Sequence, residues 1–326
     1  MSTVTGDLHD AQRLAVFARR SAAMGVVAWL LLLLTRTSDS PETELIHKVV
    51  FFAVLVIVPL GLSLVTVGEP RISAVLYRAA VLGQPVAAAI AVASFFVEKG
   101  LLSASLAGAW LVVSAIVALL GLSRFTARGI YPLPESSVDA GLLYLPVAGG
   151  WLIIYRLGVQ PFEYGETIIL LTVVHFHFAG FAAPIIAGLT GKALAATDYR
   201  AGKLYAFVVF AVVAAMPLVA AGITFSPLIG LAGTLLLTTG LVMLAVLTVG
   251  RVLHVVPVWS ARLLLLIAAL SSCTAMVLAC LYSYSLVAHV LILRIPTMAM
   301  THGLLNAFGF ATCSLLAWTI VNQRTN

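Results

Sequence analysis

Long apolar runs separated by short polar connections fill the chain from about residue 21 onward. Most runs reach the roughly 20 residues that a helix needs to cross a bilayer. They do not alternate apolar and polar residues, as the strands of a membrane barrel do. The pattern predicts ten transmembrane helices at about 21–35, 49–67, 75–96, 101–122, 138–156, 164–190, 203–222, 226–249, 260–284 and 297–320.

Composition excludes a soluble protein. Of the 326 residues, 62% are hydrophobic and only 9% are charged, whereas soluble domains carry about 25% charged residues. The net charge of +6 comes from basic residues spread singly over loops, so the sequence predicts no nucleic-acid partner. The expected fold class is an all-α integral membrane protein, and its first partner is the lipid bilayer.

The distribution of Lys and Arg predicts the orientation. With the N-terminus inside, thirteen of the 18 basic residues fall in inner segments, as the positive-inside tendency requires. We therefore expect both termini to be cytoplasmic in a multi-pass protein of the bacterial inner (plasma) membrane. The connections are too short to fold alone, which predicts a cytoplasmic N-terminal segment, 1–20, and a single transmembrane helical domain, 21–322.

Polar side chains inside apolar runs carry the functional hypothesis. His175 and His177 lie near the middle of the sixth predicted helix, and His302 and Asn306 lie in the tenth. A charged group at that depth costs about 2.5–3.5 kcal/mol, and ionisable residues there usually mark a site. His302 and Asn306 share one helix face, whereas two histidines two residues apart cannot both face one cavity in a regular helix. We favour His177 as the inward one and expect both helices to line a shared site.

Four further residues are candidates near that site. Glu163 and Glu166 stand at the outer start of the sixth helix, where Glu166 could exchange a proton with His302. The alternative is that both carboxylates only complement the positive end of the helix dipole. Tyr144 could donate to a substrate oxygen, and Gln84 could line the site at mid-depth.

Two charged residues of the fifth predicted helix have simpler interpretations. Asp139 stands at its start and is predicted to be its N-cap. Arg156 stands at its end and is expected to extend toward the outer headgroups or to meet Glu163.

Two motifs resemble those of a known family. HFHFAGF at 175–181, preceded by LLT at 170–172, and HGLLNAFGF at 302–310 are similar to the signature segments of the YndJ-like family of bacterial membrane proteins. IVPLGL at 57–62, the stretch from Gly100 to Trp110 and DAGLLYLPVAGGWLIIYRLG at 139–158 resemble it as well. The resemblance implies a multispanning membrane protein and supports the choice of the two histidine motifs.

The candidate residues allow two classes of function. No P-loop, GxSxG, HExxH or DDxxD-type motif is present, which disfavours ATP-driven work and ordinary hydrolysis. The first hypothesis is a membrane-embedded isomerase or cyclase that acts by acid–base chemistry on a hydrophobic small molecule. Its catalytic residues would be His177, His302, Glu166 and His175, and its substrate-binding residues would be Asn306, Tyr144, Gln84 and Glu163.

The second hypothesis is a secondary, possibly proton-coupled transporter of a small solute, with the same histidines as relay groups. We expect no cofactor and no metal, and a metal or haem held by His177 and His302 is the remaining functional alternative. Two purely structural alternatives also stay open. His175 and His177 could be neutral packing residues, and His302 with Asn306 could be a polar clamp between helices.

Overall fold

The structure, a computed structural model, describes residues 2–67, 71–197 and 202–325, with side chains from residue 10 to 324. Every regular element within these ranges is helical. Ten of the described helices are long and apolar enough to cross a membrane, which confirms the predicted all-α membrane architecture. In chain order they are α1 Asp10–Leu32, α2 Pro41–Leu62, α3 Arg71–Phe96, α4 Leu101–Arg128, α5 Leu133–Leu157, α6 Glu166–Ala195, α7 Gly202–Phe225, α8 Pro227–Val255, α9 Trp259–Ala288 and α10 Ile295–Arg324.

The first two helices begin earlier than the apolar pattern predicts. α1 is part of a continuous helix, Ser2–Leu32, so helical structure extends through the predicted polar segment. α2 begins at Pro41 rather than near residue 49, because Ser40 caps it by accepting a hydrogen bond from the Thr43 amide at 3.4 Å and proline suits the first helical turn. Charged residues in its first two turns are therefore part of the helix.

The start of α5 corrects another prediction. The helix begins at Leu133, and Asp139 lies inside it, buried. Its carboxylate accepts hydrogen bonds from Arg124 Nε and Arg128 Nη2, both at 2.7 Å. Asp139 is thus not an N-cap; it neutralises two arginines of α4, one of which also donates to the Thr66 carbonyl.

Arg156, in the last turn of α5, is also placed differently. It is only 4% exposed, so the expected extension toward the headgroups is wrong. Its Nε donates to Ser103 Oγ at 2.6 Å and its Nη2 to the Val97 carbonyl at 2.5 Å. These two bonds hold the guanidinium inside the protein.

The helices form two compact units. Unit 1 comprises Met1–Ile130 and Asp139–Ala182, and unit 2 comprises Tyr131–Val138 and Ala183–Asn326. In unit 1, α2 supplies much of the core and is buried over 89% of its apolar window. In unit 2, α7 and α8 approach closely, since a Cβ added at Gly222 would lie 2.1 Å from Gly230 Cα. Small residues commonly permit such contacts between membrane helices.

Several described helices contain short stretches of π-helix, which are frequent at functional sites and shift the hydrogen-bonding pattern of the backbone. They are Ala53–Ile57 in α2, Phe176–Ala182 in α6, Thr248–Val252 in α8, and Ala299–Gly303 and Leu305–Thr312 in α10. His177, His302 and Asn306 all lie in such stretches, so these three predicted site residues occupy irregular parts of their helices.

Candidate functional site

His177 is fully buried in unit 1, against α4. Its Nδ1 bonds the Val173 carbonyl at 2.8 Å, and its Nε2 lies 3.0 Å from Trp110 Nε1, which can only donate. The two rings stack with centroids 5.7 Å apart. Because Nδ1 must donate and Nε2 must accept, His177 is held as one neutral tautomer with both nitrogens bonded. This geometry matches the packing alternative for His177.

His175 lies half-buried directly before the π-helical stretch of α6. Its Nδ1 donates to the Leu171 carbonyl at 2.7 Å, so the two histidines repeat one pattern of bonding to the preceding helical turn. Tyr144 of α5 is also half-buried and packs edge-on against Phe176, with ring centroids 6.0 Å apart. These two predicted site residues thus lie in the same unit as His177.

His302 and Asn306 contact each other in unit 2, as their spacing predicts. His302 Nδ1 bonds the Ala275 carbonyl of α9 at 2.8 Å. Asn306 Nδ2 lies 3.2 Å from His302 Nε2 and donates to the His302 carbonyl at 3.0 Å. The pair therefore joins α10 to α9. His177 belongs to unit 1 and His302 to unit 2, and their convergence on one chamber stays a prediction.

Gln84 is buried in α3 of unit 1. Its Nε2 donates to the Val54 carbonyl at 2.6 Å, inside the π-helical stretch of α2. Gln84 thus supplies a partner for a backbone group at an irregular turn, which a membrane interior requires.

The two predicted carboxylates lie at the start of α6. Glu166 is its first residue and forms an ion pair with Lys99, with Nζ and Oε2 2.7 Å apart. Glu163 precedes the helix, is exposed and has a left-handed φ of 60°, so it lies outside the helix that Glu166 begins. Of the two, Glu166 is the one joined to other charged groups.

A hydrogen-bonded polar cluster in unit 1 lies around His47, a residue outside the site predicted from the sequence. His47 Nε2 lies 2.6 Å from the Tyr155 hydroxyl, and His47 Nδ1 lies 2.9 Å from Thr37 Oγ1. Thr37 Oγ1 then donates to Glu44 Oε2 at 2.9 Å. Three hydrogen bonds thus link a phenol, an imidazole, a hydroxyl and a carboxylate in one chain.

The direction of these bonds follows from the carboxylate. Glu44 Oε2 accepts from the Thr37 amide and hydroxyl and from the Ser38 amide, so the Thr37 proton is committed to Glu44. His47 Nδ1 must then carry a proton and donate to Thr37, and in the neutral imidazole Nε2 accepts from Tyr155. The chain therefore runs in one donor order from Tyr155 to Glu44.

Cations surround the buried end of this chain. Tyr155 is 3% exposed and His47 2%. Lys99 Nζ lies 4.4 Å from the centre of the Tyr155 ring, and the Arg156 guanidinium carbon lies 5.8 Å from it. Both cations thus lie close enough to the ring for cation–π attraction.

Aromatic rings shield the same end. Phe95 lies edge-on to His47, with centroids 4.7 Å apart, and Phe51 lies edge-on to Phe95 at 4.9 Å. Exclusion of water strengthens the electrostatic interactions of the enclosed groups.

The carboxylate end opens to a groove of about 460 Å³. Its walls include Leu34 and Leu45 together with Glu44 and Lys48, and Lys48 Nζ lies 2.5 Å from Glu44 Oε1. Apolar and charged walls side by side suit an amphiphilic molecule.

The sequence held a signal for this cluster. Ser40, Pro41 and Glu42 form the cap, first-turn proline and acidic first turn of a helix start. A helix beginning there places Glu44, His47 and Lys48 on one face by their spacing. The partner Tyr155 is 108 residues away from His47, and no periodicity connects them.

The haem or metal alternative can be tested on the same geometry. A metal ligand needs a free imidazole lone pair, and the one on His177 is occupied by Trp110. Among the residues described, no three His, Cys, Asp or Glu side chains are arranged to hold a metal ion. His177, as placed, does not fit the ligand role.

Comparisons with known proteins identify the family. The YndJ-like protein model matches residues 48–310. A similar protein is "Uncharacterized membrane protein YndJ" of Bacillus subtilis (strain 168), which is 27% identical over 308 residues, covering 92% of this chain and 53% of that protein. This chain spans about half the length of that relative. No solved structure matches this chain. Because the matched region covers most of the chain and both histidine motifs, the chain belongs to the YndJ-like family of membrane proteins.

Proposed function

We propose that this protein is a membrane-embedded enzyme, an isomerase or cyclase, that relocates a proton within an apolar or amphiphilic substrate. The observation that carries the proposal is the directed hydrogen-bonded chain Tyr155–His47–Thr37–Glu44 in unit 1. Such a chain can supply or remove a proton at its buried end without a cofactor or a nucleotide. The acid–base chemistry expected from the sequence is thereby assigned to a different histidine.

Each residue of the chain has a distinct role. Tyr155 is the acid and base that meets the substrate, and His47 takes up or returns its proton. Thr37 is hydrogen-bonded to both His47 and Glu44, so the negative charge of Glu44 compensates the positive charge that appears on the imidazole. A positioned acid–base group of this kind contributes about 10²–10⁴-fold to a rate.

The flanking charges fit the same role. Lys99 and Arg156 stabilise the phenolate of Tyr155 electrostatically, as fixed charges do for developing anions in enzymes. Glu166 holds Lys99 in place through its ion pair. Of the residues predicted from the sequence, Glu166 is the one that supports this cluster directly, as a positioning residue.

We also propose that the cluster lies at the outer face of the bacterial plasma membrane. Thr37, Lys99 and Glu166 stand in or beside the connections α1–α2, α3–α4 and α5–α6, which alternation assigns to the side opposite the N-terminus. The excess of Lys and Arg in the other connections favours cytoplasmic termini. A substrate would then approach the cluster from the outer leaflet, and the groove beside Glu44 adjoins the end of the hydrogen-bonded chain opposite Tyr155.

One feature favours the second candidate, a proton-coupled carrier. The chain leads from a groove at the end of the unit to a buried phenol, and a carrier also needs a proton path inward from the surface. The two functions differ in their product, because an isomerase alters a molecule and a carrier does not.

Solvent deuterium tests the enzymatic proposal. The protein is reconstituted in nanodiscs with a total lipid extract in D₂O, and the lipids are then compared by mass spectrometry. Relocation of a proton places solvent deuterium on carbon, so at least one lipid species gains about one mass unit with the wild type but not with Tyr155→Phe. If no lipid gains deuterium over protein-free nanodiscs, the enzymatic proposal is wrong for membrane lipids.

The carrier is tested in parallel. Proteoliposomes that contain a pH-sensitive dye are mixed with pools of small solutes. If a solute acidifies the interior in a way that requires Tyr155, and the lipids are unaltered, the protein is a carrier and the enzymatic proposal is wrong.

A further inference from the structure

A second polar feature lies in unit 2, away from any titratable side chain. A cavity of about 20 Å³ is lined by residues of α6, α8, α9 and α10. Most of its wall is apolar, but each of the four helices contributes one residue with a hydroxyl group. These residues are Thr190, Thr248, Ser272 and Ser314, and all are buried.

Ser272 gives the cavity its chemical requirement. It is 1% exposed, and its hydroxyl finds no hydrogen-bond partner among the described residues. Buried polar groups in native proteins nearly always have a partner, from protein or ordered water. The Ser272 hydroxyl therefore needs a ligand that can accept a hydrogen bond from it.

Thr248 sets a complementary requirement. Its hydroxyl donates to the Leu244 carbonyl at 2.8 Å, so its oxygen has only lone pairs left to offer. A ligand between these residues must accept from Ser272 and donate to Thr248. A metal cation has no lone pair and cannot accept, and no carboxylate lines the cavity to balance its charge.

Water meets both requirements. One water molecule needs about 10–15 Å³ of cavity volume and two to four polar partners, and this cavity offers about 20 Å³ and four hydroxyl-bearing residues. We propose that the cavity of unit 2 binds a single water molecule, held by Ser272 and at least one other of these hydroxyls, which ties α6, α8, α9 and α10 together.

The cavity lies close to the His302–Asn306 pair along α9 and α10. Ala275, whose carbonyl bonds His302, lies three residues after Ser272 on α9. Asn306 lies four residues before Phe310, which lines the cavity on α10. Both helices thus bring the His302–Asn306 pair to within about one helical turn of the water site.

Close packing keeps the site small. A Cβ added at Gly309 would lie 2.2 Å from Ser271 Oγ, so α9 and α10 are in close contact beside the cavity. There is no room for a larger ligand without separation of these helices.

The sign of a stability change tests the proposal. If water is bound, Ser272→Ala removes one of its partners and lowers the Tm of the full-length protein in detergent by about 2–4 °C. If the cavity is dry, the same change removes an unpaired buried hydroxyl and raises the Tm. An unchanged or raised Tm would overturn the proposal.

A matched control separates this effect from any serine-to-alanine change in α9. Ser285 is also buried, but its hydroxyl donates to the Tyr282 carbonyl at 2.6 Å within the same helix. Ser285→Ala therefore reports the loss of a local bond, and the Tm of Ser272→Ala should fall further.

A density map provides the direct measurement. At a resolution near 2 Å, one density peak is expected about 2.7–3.2 Å from Ser272 Oγ and from one further hydroxyl, and it should be absent in Ser272→Ala. Absence of a peak in the wild type, or a peak with six or more oxygens at about 2.3–2.6 Å as a cation requires, would contradict a bound water.

Discussion

Two buried histidines of unit 1 have nearly the same exposure and opposite connections. His177 bonds a backbone carbonyl and the indole of Trp110, neither of which exchanges a proton near neutral pH. His47 bonds a phenol on one side and, through Thr37, a carboxylate on the other. Burial alone therefore does not make a histidine a candidate for acid–base work; the nature of its two partners does.

The difference also separates structural from chemical roles in one fold. The bonds of His177 to Val173 and Trp110 satisfy both ring nitrogens and join α6 to α4. This is a structural role that requires no proton transfer. The His47 chain ends in a groove at one side and in a cation-flanked phenol at the other. We expect substitutions around His177 to change stability alone, and substitutions in the His47 chain to change activity as well.

The largest expected effect is at Tyr155. Tyr155→Phe keeps the ring but removes the acid, so deuterium incorporation per folded molecule should fall about 10²–10⁴-fold. It also leaves the buried His47 Nε2 without its donor, so the free energy of unfolding should fall by about 1–3 kcal/mol, as at Trp110. Retention of full incorporation in a folded Tyr155→Phe protein would remove the distinction between the two histidines.

Thr37 should give an intermediate effect. Thr37→Val interrupts the chain between His47 and Glu44 and should lower incorporation about tenfold, equivalent to roughly 1.4 kcal/mol in the barrier. Thr37→Ser restores the hydroxyl and serves as the control. If both variants behave alike, the hydroxyl does not carry the connection.

Trp110 tests the structural side of the comparison. Trp110→Phe leaves His177 Nε2 buried without its donor and should lower the free energy of unfolding by about 1–3 kcal/mol. Deuterium incorporation per folded molecule should stay at the wild-type level. A selective loss of incorporation, with unfolding unchanged, would show that His177 belongs to the chemistry after all.

The smallest effects are expected at the two carboxylates near the start of α6. Glu163→Gln alters an exposed residue and should leave incorporation unchanged. Glu166→Gln breaks the ion pair with Lys99 and should lower it only a few-fold, because partly exposed ion pairs are weak. The reverse order of effects would place Glu163, rather than Glu166, beside the reacting groups.

The sequence was a good guide to the fold because membrane crossing depends on hydrophobicity, which is local. Ten helices were predicted and ten are found among the described residues. Helix starts were missed where polar residues are satisfied by distant partners. Asp139 lies inside α5 because Arg124 and Arg128 neutralise it, and no pattern within α5 reveals that.

The site was less predictable for the same reason. Glu166 was identified from its position at a helix start, but its partner Lys99 comes from another connection. His47 and Tyr155 meet across 108 residues, and their pairing depends on how α2 and α5 pack. His175, His177, His302 and Asn306 stand out in the sequence because they interrupt apolar runs, a property shared by structural and catalytic residues.

The donor order of the His47 chain can be measured directly. Solid-state ¹⁵N NMR of protein with labelled histidine, compared with His47→Gln to assign the signal, reports which ring nitrogen carries the proton. We predict a neutral His47 with Nδ1 protonated and Nε2 bare and hydrogen-bonded. A protonated Nε2 would reverse its bond to Tyr155 and contradict the proposed relay.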